Sequence, residues 1–494
     1  FKASLTAATF ASLALALLSD AVRRLTDKPV AGYAAAVALG LSPTFWRYAT
    51  VAEVFSAGAF TAMLVVWVAV RIHRGWRGRG ATLALGLAVA TGIANHHTVV
   101  LLAPLALYAG FKALERPRVD IPACLGGLAC GFAAYLPLAI PGGAWRWGQT
   151  TNLEGLAHHF LRRDYGTFDL ALSEVEVSWA AHPLHFLGRL PSELFGVWLV
   201  LAVVGCVAAI RAWPGFGLAL LATVMTAGPL FLAKFNVPAE GLGLVVAHRF
   251  AILPIALLCV FAGVGFATVH RRWMGWLLLP LGFVQAHVNK DVGNHANWTV
   301  LEDYLLNTLS VLEPNAVVIV ASDNLFFGGL YAQEVMGIRP DVVLLHPRMM
   351  GYPWYRDSLH QAHPDFLPVH QASIPEIVAA NIDVRPVYLS REHLGRPALA
   401  GRLPPAYPES GVLMRVSLGP LPPPVEVEAQ MLASMEGFVF RSRPETTAQW
   451  EDTWESWAFG EYAGSWNTLA LAFEATGDAS GASRCRMRAS SFEP

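Results

Sequence analysis

The sequence predicts an α-helical polytopic membrane protein followed by an external α/β domain and a helical tail. Three observations carry that prediction. Of the 494 residues, 54% are hydrophobic and only 14% charged, outside the range of ordinary soluble domains. Long apolar runs follow one another up to about residue 290, with basic residues concentrated in alternate connections. After about residue 300 the pattern changes to short strands and amphipathic helices.

The apolar runs cover about 4–20, 30–46, 54–71, 81–94, 97–111, 121–141, 194–212, 215–233, 250–268 and 273–286. Several are shorter than the ~20 residues a perpendicular helix needs to cross a bilayer. The pair around Asn95 reads as two shortened helices meeting at a polar break, tolerated only where it is buried or lines a cavity. Arg23, Arg24 and Lys28 follow the first run; Arg71, Arg74, Arg77 and Arg79 follow the third. Lys112, Arg116 and Arg118 follow the fifth, Arg211 the seventh, Arg271 and Arg272 the ninth. The positive-inside rule makes those connections cytoplasmic and turns the others toward a periplasm or lumen. Ten spans would put residue 1 and the region after 290 on the outer side together. The chain begins with Phe, and nothing in it reads as a signal peptide. A cytoplasmic N-terminus therefore calls for an odd number of upstream spans, most simply one.

Three domains are expected: a membrane module at 1–290 with an external loop at 142–192, an external α/β domain at 291–430, and a tail at 431–494. "LEDYLLNTLSVL" reads as an amphipathic helix, "NAVVIVASDN" as a buried strand ending in a turn, and "DVVLLH" and "RPVYLS" as further strands. Residues 350–430 are Pro-rich and read as irregular. "NTLALAFEATGDASGASRCRMRASSFEP" looks like one helix-turn-helix of tetratricopeptide type. A lone repeat cannot bury its own face, so it must pack on the domain or on further repeats.

The net charge of −1 provides no global basic field for nucleic acid. The cysteines, Cys124, Cys130, Cys206, Cys259 and Cys485, are too scattered for a disulfide framework or a CxxC metal site. The unusual polar stretches collect on the outer side: Ser42–Glu53, Asn95–Thr98, 142–192 and Lys234–Arg249. Glu53, where one run ends and the next begins, has two readings. It is either a capping acid stabilised by the helix dipole, worth ~0.3–1 kcal/mol, or a base or substrate-orienting acid in a cavity at the membrane surface.

Asn95, His96 and His97 in "GIANHHTVV" sit at the polar break. Adjacent histidines cannot face the same way on a helix, so at most one points into a given site. As zinc ligands they would need His158 and His159, or His182 and His185, and no HxxxH or HExxH pattern occurs. Metal is therefore not expected; hydrogen bonding to phosphate or sugar stands beside a structural role. In "HHFLRRDYGTF", Arg162, Arg163, Asp164 and Tyr165 suit a sugar phosphate: guanidinium forks for phosphate, a carboxylate for hydroxyls, a ring for stacking. The alternative is a solvated loop with local Arg–Asp pairing. "AKFNVPAEGLGLVVAHRF" ends in His248 and Arg249, where Arg249 either neutralises a lipid phosphate or snorkels to the interface. Ser322 to Asn324 reads as a turn or a ligand-holding loop.

Taken in order, "SPTFWRYATVAEVF", "GIANHHT", "FLRRDYGTF", "FNVP…HRF" and "DNLFFGGLYAQEVMGIRPDVVLLHPRMMGYPWY" resemble motifs of the transmembrane protein O-mannosyltransferases that modify TIG (IPT) domains, with their bacterial relatives. The resemblance covers most of the chain to about Tyr355. It implies a GT-C type fold, a polyprenyl- or dolichyl-phosphate sugar as donor, and work on the outer or lumenal face. It makes Glu53 the acid of the family's AEV(F/Y) motif and places His96, His97, Arg162, Arg163, Asp164, Tyr165 and Arg249 on motif positions. His248 stands where relatives often carry Glu. The family's catalytic acid in the first external loop would lie upstream of residue 1.

The implied reaction is inverting transfer of a sugar, mannose, to Ser/Thr hydroxyls of a protein acceptor. Glu53 and Asp164 are the catalytic candidates; Asn95, His96, His97, Arg162, Arg163, Tyr165, His248 and Arg249 bind substrate. No cofactor is implied beyond the lipid-phosphate donor. The partners are the lipid-linked donor, a protein acceptor held by the α/β and tail regions, and membrane lipid, with no nucleic acid. The implied location is a bacterial inner membrane with a periplasmic site, or the endoplasmic reticulum with a lumenal one. A transporter of lipid-linked sugars, which would show internal repeats and broken mid-membrane helices, and a non-catalytic assembly protein are the rivals.

Overall fold

The computed structural model describes residues 2–140, 142–167, 176–269, 271–294, 298–366, 373–443 and 454–493. The chain splits into two compact units: Phe1–Ile140 with Tyr165–His295, and Pro141–Asp164 with Ala296–Pro494. The loop expected at 142–192 is thus divided between them, and residues 168–175 of it lie outside the described residues.

In the first unit every apolar run is helical. The helices are α1 (Lys2–Thr26), α2 (Pro29–Gly40), α3 (Pro43–Thr50), α4 (Val54–His73), α5 (Arg79–Asn95), α6 (Ala103–Ala113) and α7 (Pro117–Phe132). After α8 (Leu153–Phe160), which falls in the second unit, come α9 (Ala181–Glu193), α10 (Val197–Ala212), α11 (Pro214–Met225), α12 (Gly241–His248), α13 (Ile252–Val269) and α14 (Leu278–Val288). Ala3–Thr26, Val54–His73, Pro117–Ala139 and Gly241–Val269 are long and apolar enough to cross a membrane. Ala181–Glu193 and Val197–Ala212, bent by 109°, make a fifth if they form one broken span. By length, four or five of the ten expected spans qualify among the described residues, and the other runs are shorter. Local breaks cut them. Ser42 Oγ accepts from Phe45 N–H and Pro43 opens α3, which divides run 30–46 in two.

Small residues set the packing. At Gly205 of α10 and Gly265 of α13 the backbones approach so closely that a Cβ would overlap the facing carbonyl, Phe261 O and Leu201 O respectively, the close contact expected between helices in lipid. α13 is nearly all buried and contacts α1, α2, α4, α10 and α11. The basic connections meet at one end of this bundle. Arg74 Nη2 pairs with Asp27 Oδ2 at 2.6 Å, Lys28 Nζ donates to Ala267 O at 2.6 Å, and Gly78 N–H donates to Ala113 O at 2.7 Å. The start of α4, the end of α5 and the start of α13 lie at the opposite end, because these helices alternate in direction.

The second unit has a five-stranded sheet in the order β2-β1-β3-β5-β4. β1 (Val317–Ile319) pairs in parallel with β2 (Val343–Leu345) and β3 (Val387–Leu389). These are the strands expected in "NAVVIVASDN", "DVVLLH" and "RPVYLS", buried on both faces and hence continuously apolar. β5 (Met414–Val416) runs antiparallel to β3 and to β4 (Ala406–Tyr407). Around the sheet lie α15 (Val300–Ser310), α16 (Asp323–Glu334), α17 (Pro353–Ala362), α18 (Ile374–Asn381) and α19 (Pro424–Glu436). Besides the expected β3, the stretch read as irregular at 350–430 holds, among the described residues, two α-helices, two further strands and the start of a third α-helix.

The tail forms α20 (Trp454–Ala475) and α21 (Ala479–Ser490), a helical pair around Trp466, Phe473 and Cys485. It packs on its own unit: Asn307 Nδ2 donates to Tyr462 Oη at 3.0 Å and Arg391 pairs with Glu461 at 2.9 Å. α19 crosses the boundary expected at 430/431 and packs on α20.

Candidate functional site

Glu53 occupies the N-cap position of α4, but its side chain makes no capping hydrogen bond. Its Oε1 lies 3.6 Å from Arg249 Nη1, and the two side chains are 33% and 32% exposed. Such a half-exposed pair is worth only ~0–1 kcal/mol, so fold stability gives little reason for it. Arg249 comes from the one-turn link between α12 and α13. Its guanidinium carbon sits 5.6 Å from the Phe55 ring centroid and 5.7 Å from that of Phe250, within cation–π range. Its Nε is buried without a hydrogen-bond partner.

Two further polar residues close this end of the bundle. Asn95 Nδ2 donates to Val54 O at 3.4 Å and ties the end of α5 to the start of α4. His96 Nδ1 accepts from Thr98 N–H at 3.3 Å, which puts the proton of a neutral ring on Nε2. The ring lies 5.7 Å from Phe55 and 5.9 Å from Phe250. Phe55, His96, Thr98, Arg249 and Phe250 line one narrow cavity of about 30 Å³. His97 is exposed and does not line it, so the two histidines do face different ways. The structure brings together Glu53, Asn95, His96 and Arg249.

His248 belongs to a different cluster, centred on a residue the sequence reasoning missed. Glu193, at the end of α9, is 1% exposed. Its carboxylate accepts from Thr44 N–H at 3.1 Å and from Thr44 Oγ1 at 2.8 Å, and lies 3.0 Å from His248 Nε2. Arg189 Nη2 stands 3.7 Å away. This carboxylate fastens the start of α3, α9 and the residue preceding Arg249. The signal was present: Glu193 precedes the run 194–212 just as Glu53 precedes the run 54–71.

The "FLRRDYGTF" motif straddles the two units. Arg162, Arg163 and Asp164 fall in the second, Tyr165 in the first, and Phe168 lies outside the described residues. Asp164 is 18% exposed and both its oxygens are engaged. Oδ1 sits 2.7 Å from His158 Nε2 and Oδ2 accepts from Trp354 Nε1 at 3.1 Å. Its carbonyl accepts from Tyr352 Oη at 2.9 Å. It joins the end of α8 to the start of α17. Ser322 Oγ accepts from Asn324 N–H and caps α16. His182 Nε2 lies 2.9 Å from Val237 O. Among the described residues, no group of three His, Cys, Asp or Glu could hold a metal ion.

These apolar helices make the chain an integral membrane protein of the polytopic helical class. The family model described as "Protein O-mannosyl-transferase TMEM260 N-terminal domain" matches residues 3–116, the stretch that carries Glu53, Asn95, His96 and His97. The chain is 27% identical over 400 residues to "Protein O-mannosyl-transferase TMEM260" of Mus musculus, covering 74% of this chain and 56% of that protein. It is 25% identical over 423 residues to "Protein O-mannosyl-transferase tmem260" of Dictyostelium discoideum, covering 72% of this chain and 51% of that protein. The chain thus spans about half the length of these relatives. No solved structure matches it. The resemblance carried by the motifs, to the transmembrane protein O-mannosyltransferases, is shown by these matches.

Proposed function

We propose that the chain forms part of a membrane glycosyltransferase that moves mannose from a polyprenyl- or dolichyl-phosphate donor to Ser/Thr hydroxyls of a protein acceptor. The observation that carries this reading is the Glu53–Arg249 pair, whose arginine lines one cavity with His96. Two rings hold Arg249 in place and leave its buried Nε–H without a partner, so the guanidinium is prepared for the donor phosphate. Phosphate binding draws Arg249 from Glu53 and leaves that carboxylate to orient the acceptor hydroxyl. The hydroxyl oxygen bonds to the anomeric carbon as the carbon–oxygen bond to phosphate breaks, with inversion. Its proton passes to a carboxylate, the acid expected of the family's first external loop. Arg249 stabilises the charge that develops on the leaving lipid phosphate. His96 hydrogen-bonds the sugar, and the second unit holds the acceptor. With the basic end cytoplasmic, the site faces a periplasm or a lumen.

The test is an in vitro transfer assay on the complete gene product, with radiolabelled polyprenyl-phosphate mannose and a TIG-like acceptor. Glu53→Gln and Arg249→Lys are each expected to lower transfer by on the order of 100-fold. Unaltered transfer in both variants overturns the assignment. Movement of the donor across liposomes without any acceptor replaces the enzyme with a transporter.

A further inference from the structure

We propose that the second unit carries a binding site for a neutral hexose, distinct from the cavity lined by Arg249 and His96. A cavity of about 350 Å³ lies between the segment 144–152 and α17, within the roughly 300–1,000 Å³ of ligand pockets. Arg146, Gln149 and Asn152 line one wall; Trp354, Asp357 and Gln361 line the other. Asp357 and Gln361 are four residues apart on α17, so they share one face of the helix, and both are exposed.

The lining selects the ligand. One guanidinium, one carboxylate and three carboxamides present donors and acceptors on planar edges, which suits hydroxyls that donate and accept at once. The single Arg and the single Asp cancel in formal charge, so neither a phosphate nor a cation is favoured. Apart from Ala144 and the Trp354 ring the walls lack apolar side chains, so an acyl chain finds no partner. Arg146 Nε is buried and without a hydrogen-bond partner, a donor left for a ligand to satisfy.

The walls are also held in advance. Trp145 packs on Phe326 and Tyr355 with ring centroids 6.2 and 6.0 Å apart. Arg146 N–H donates to Ser358 Oγ at 3.4 Å, and Trp354 Nε1 to Asp164. The choice of a neutral hexose stands on these residues alone. Its identification as mannose, presented on an already modified acceptor, rests on the transferase reading.

The experiment titrates the purified full chain in detergent with methyl α-mannoside, with an O-mannosylated acceptor peptide, and with the same peptide unmodified, by calorimetry and saturation-transfer NMR. Both mannosides bind, the O-mannosylated peptide binds more tightly than the unmodified one, and the Asp357→Ala/Gln361→Ala double variant weakens mannoside binding by about tenfold or more. Glu53→Gln leaves binding unchanged. Should the double variant fail to fold, Gln149→Ala on the facing wall must weaken binding instead. The proposal falls if no mannoside binds, if the wall variants bind as wild type does, if the unmodified peptide binds equally well, or if inorganic phosphate competes. Binding without transfer in the assay above overturns the transferase reading and keeps this site; transfer without binding does the reverse.

Discussion

Glu193 shows how much one buried carboxylate can organise. Removing it would leave the Thr44 N–H, His248 and Arg189 facing an empty place in the bundle. Breaking a buried pair in this way costs ~3–5 kcal/mol. Glu193→Ala is therefore expected to lower the unfolding temperature in detergent clearly, with Glu193→Gln, which keeps an acceptor, falling between it and wild type. In the second unit His393 is 1% exposed. Burial, with help from Arg396, His346 and Arg348, holds its pKa down at about 4. The unfolded chain takes up this proton first, near pH 6.5. Stability is therefore full above that pH, falls between about 6.5 and 4 by up to about 3 kcal/mol, and levels off below. Thermal unfolding followed from pH 7.5 to 4.5 should show this loss, and His393→Leu should flatten it.

At the scale of elements, Pro misled and Gly was silent. Residues 350–430 read as irregular because they are Pro-rich, yet Pro353, Pro375 and Pro424 sit in the first turns of α17, α18 and α19. There the missing N–H is not needed and the fixed φ favours the helix. Ser373 and Glu376 confirm the start of α18: Ser373 N–H donates to Glu376 Oε2 at 2.7 Å. The glycines at 205 and 265 gave no local signal, since their use depends on the helix that faces them. The three parallel strands were legible as short apolar runs bounded by turn residues, because strands buried on both faces need no alternation.

For the whole molecule, the gathering of basic connections at one end and of Glu53, Asn95, His96 and Arg249 at the other predicts the sidedness. Ala52→Cys, exposed beside Glu53, should react with an impermeant thiol reagent supplied to the periplasmic or lumenal side of sealed membranes, in a Cys130→Ser background. Gly80→Cys, exposed at the start of α5, should react only with reagent supplied to the cytoplasmic side. The opposite pattern would put the candidate site on the cytoplasmic face.

The sequence by itself determined the helical membrane class, the position of the polar break, the alternation of charge and the change to α/β after about residue 300. Hydrophobic length, periodicity and charge are local properties, and neighbouring residues are enough to read them. Only the tertiary structure decided that Glu53 meets Arg249 instead of capping α4. It alone showed that Asp164 is held by His158 and Trp354, that His248 belongs with Glu193, and that residues 142–164 pack with the second unit. Apart from His158, these partners are far away in the chain, brought together by tertiary packing that no stretch of sequence carries alone.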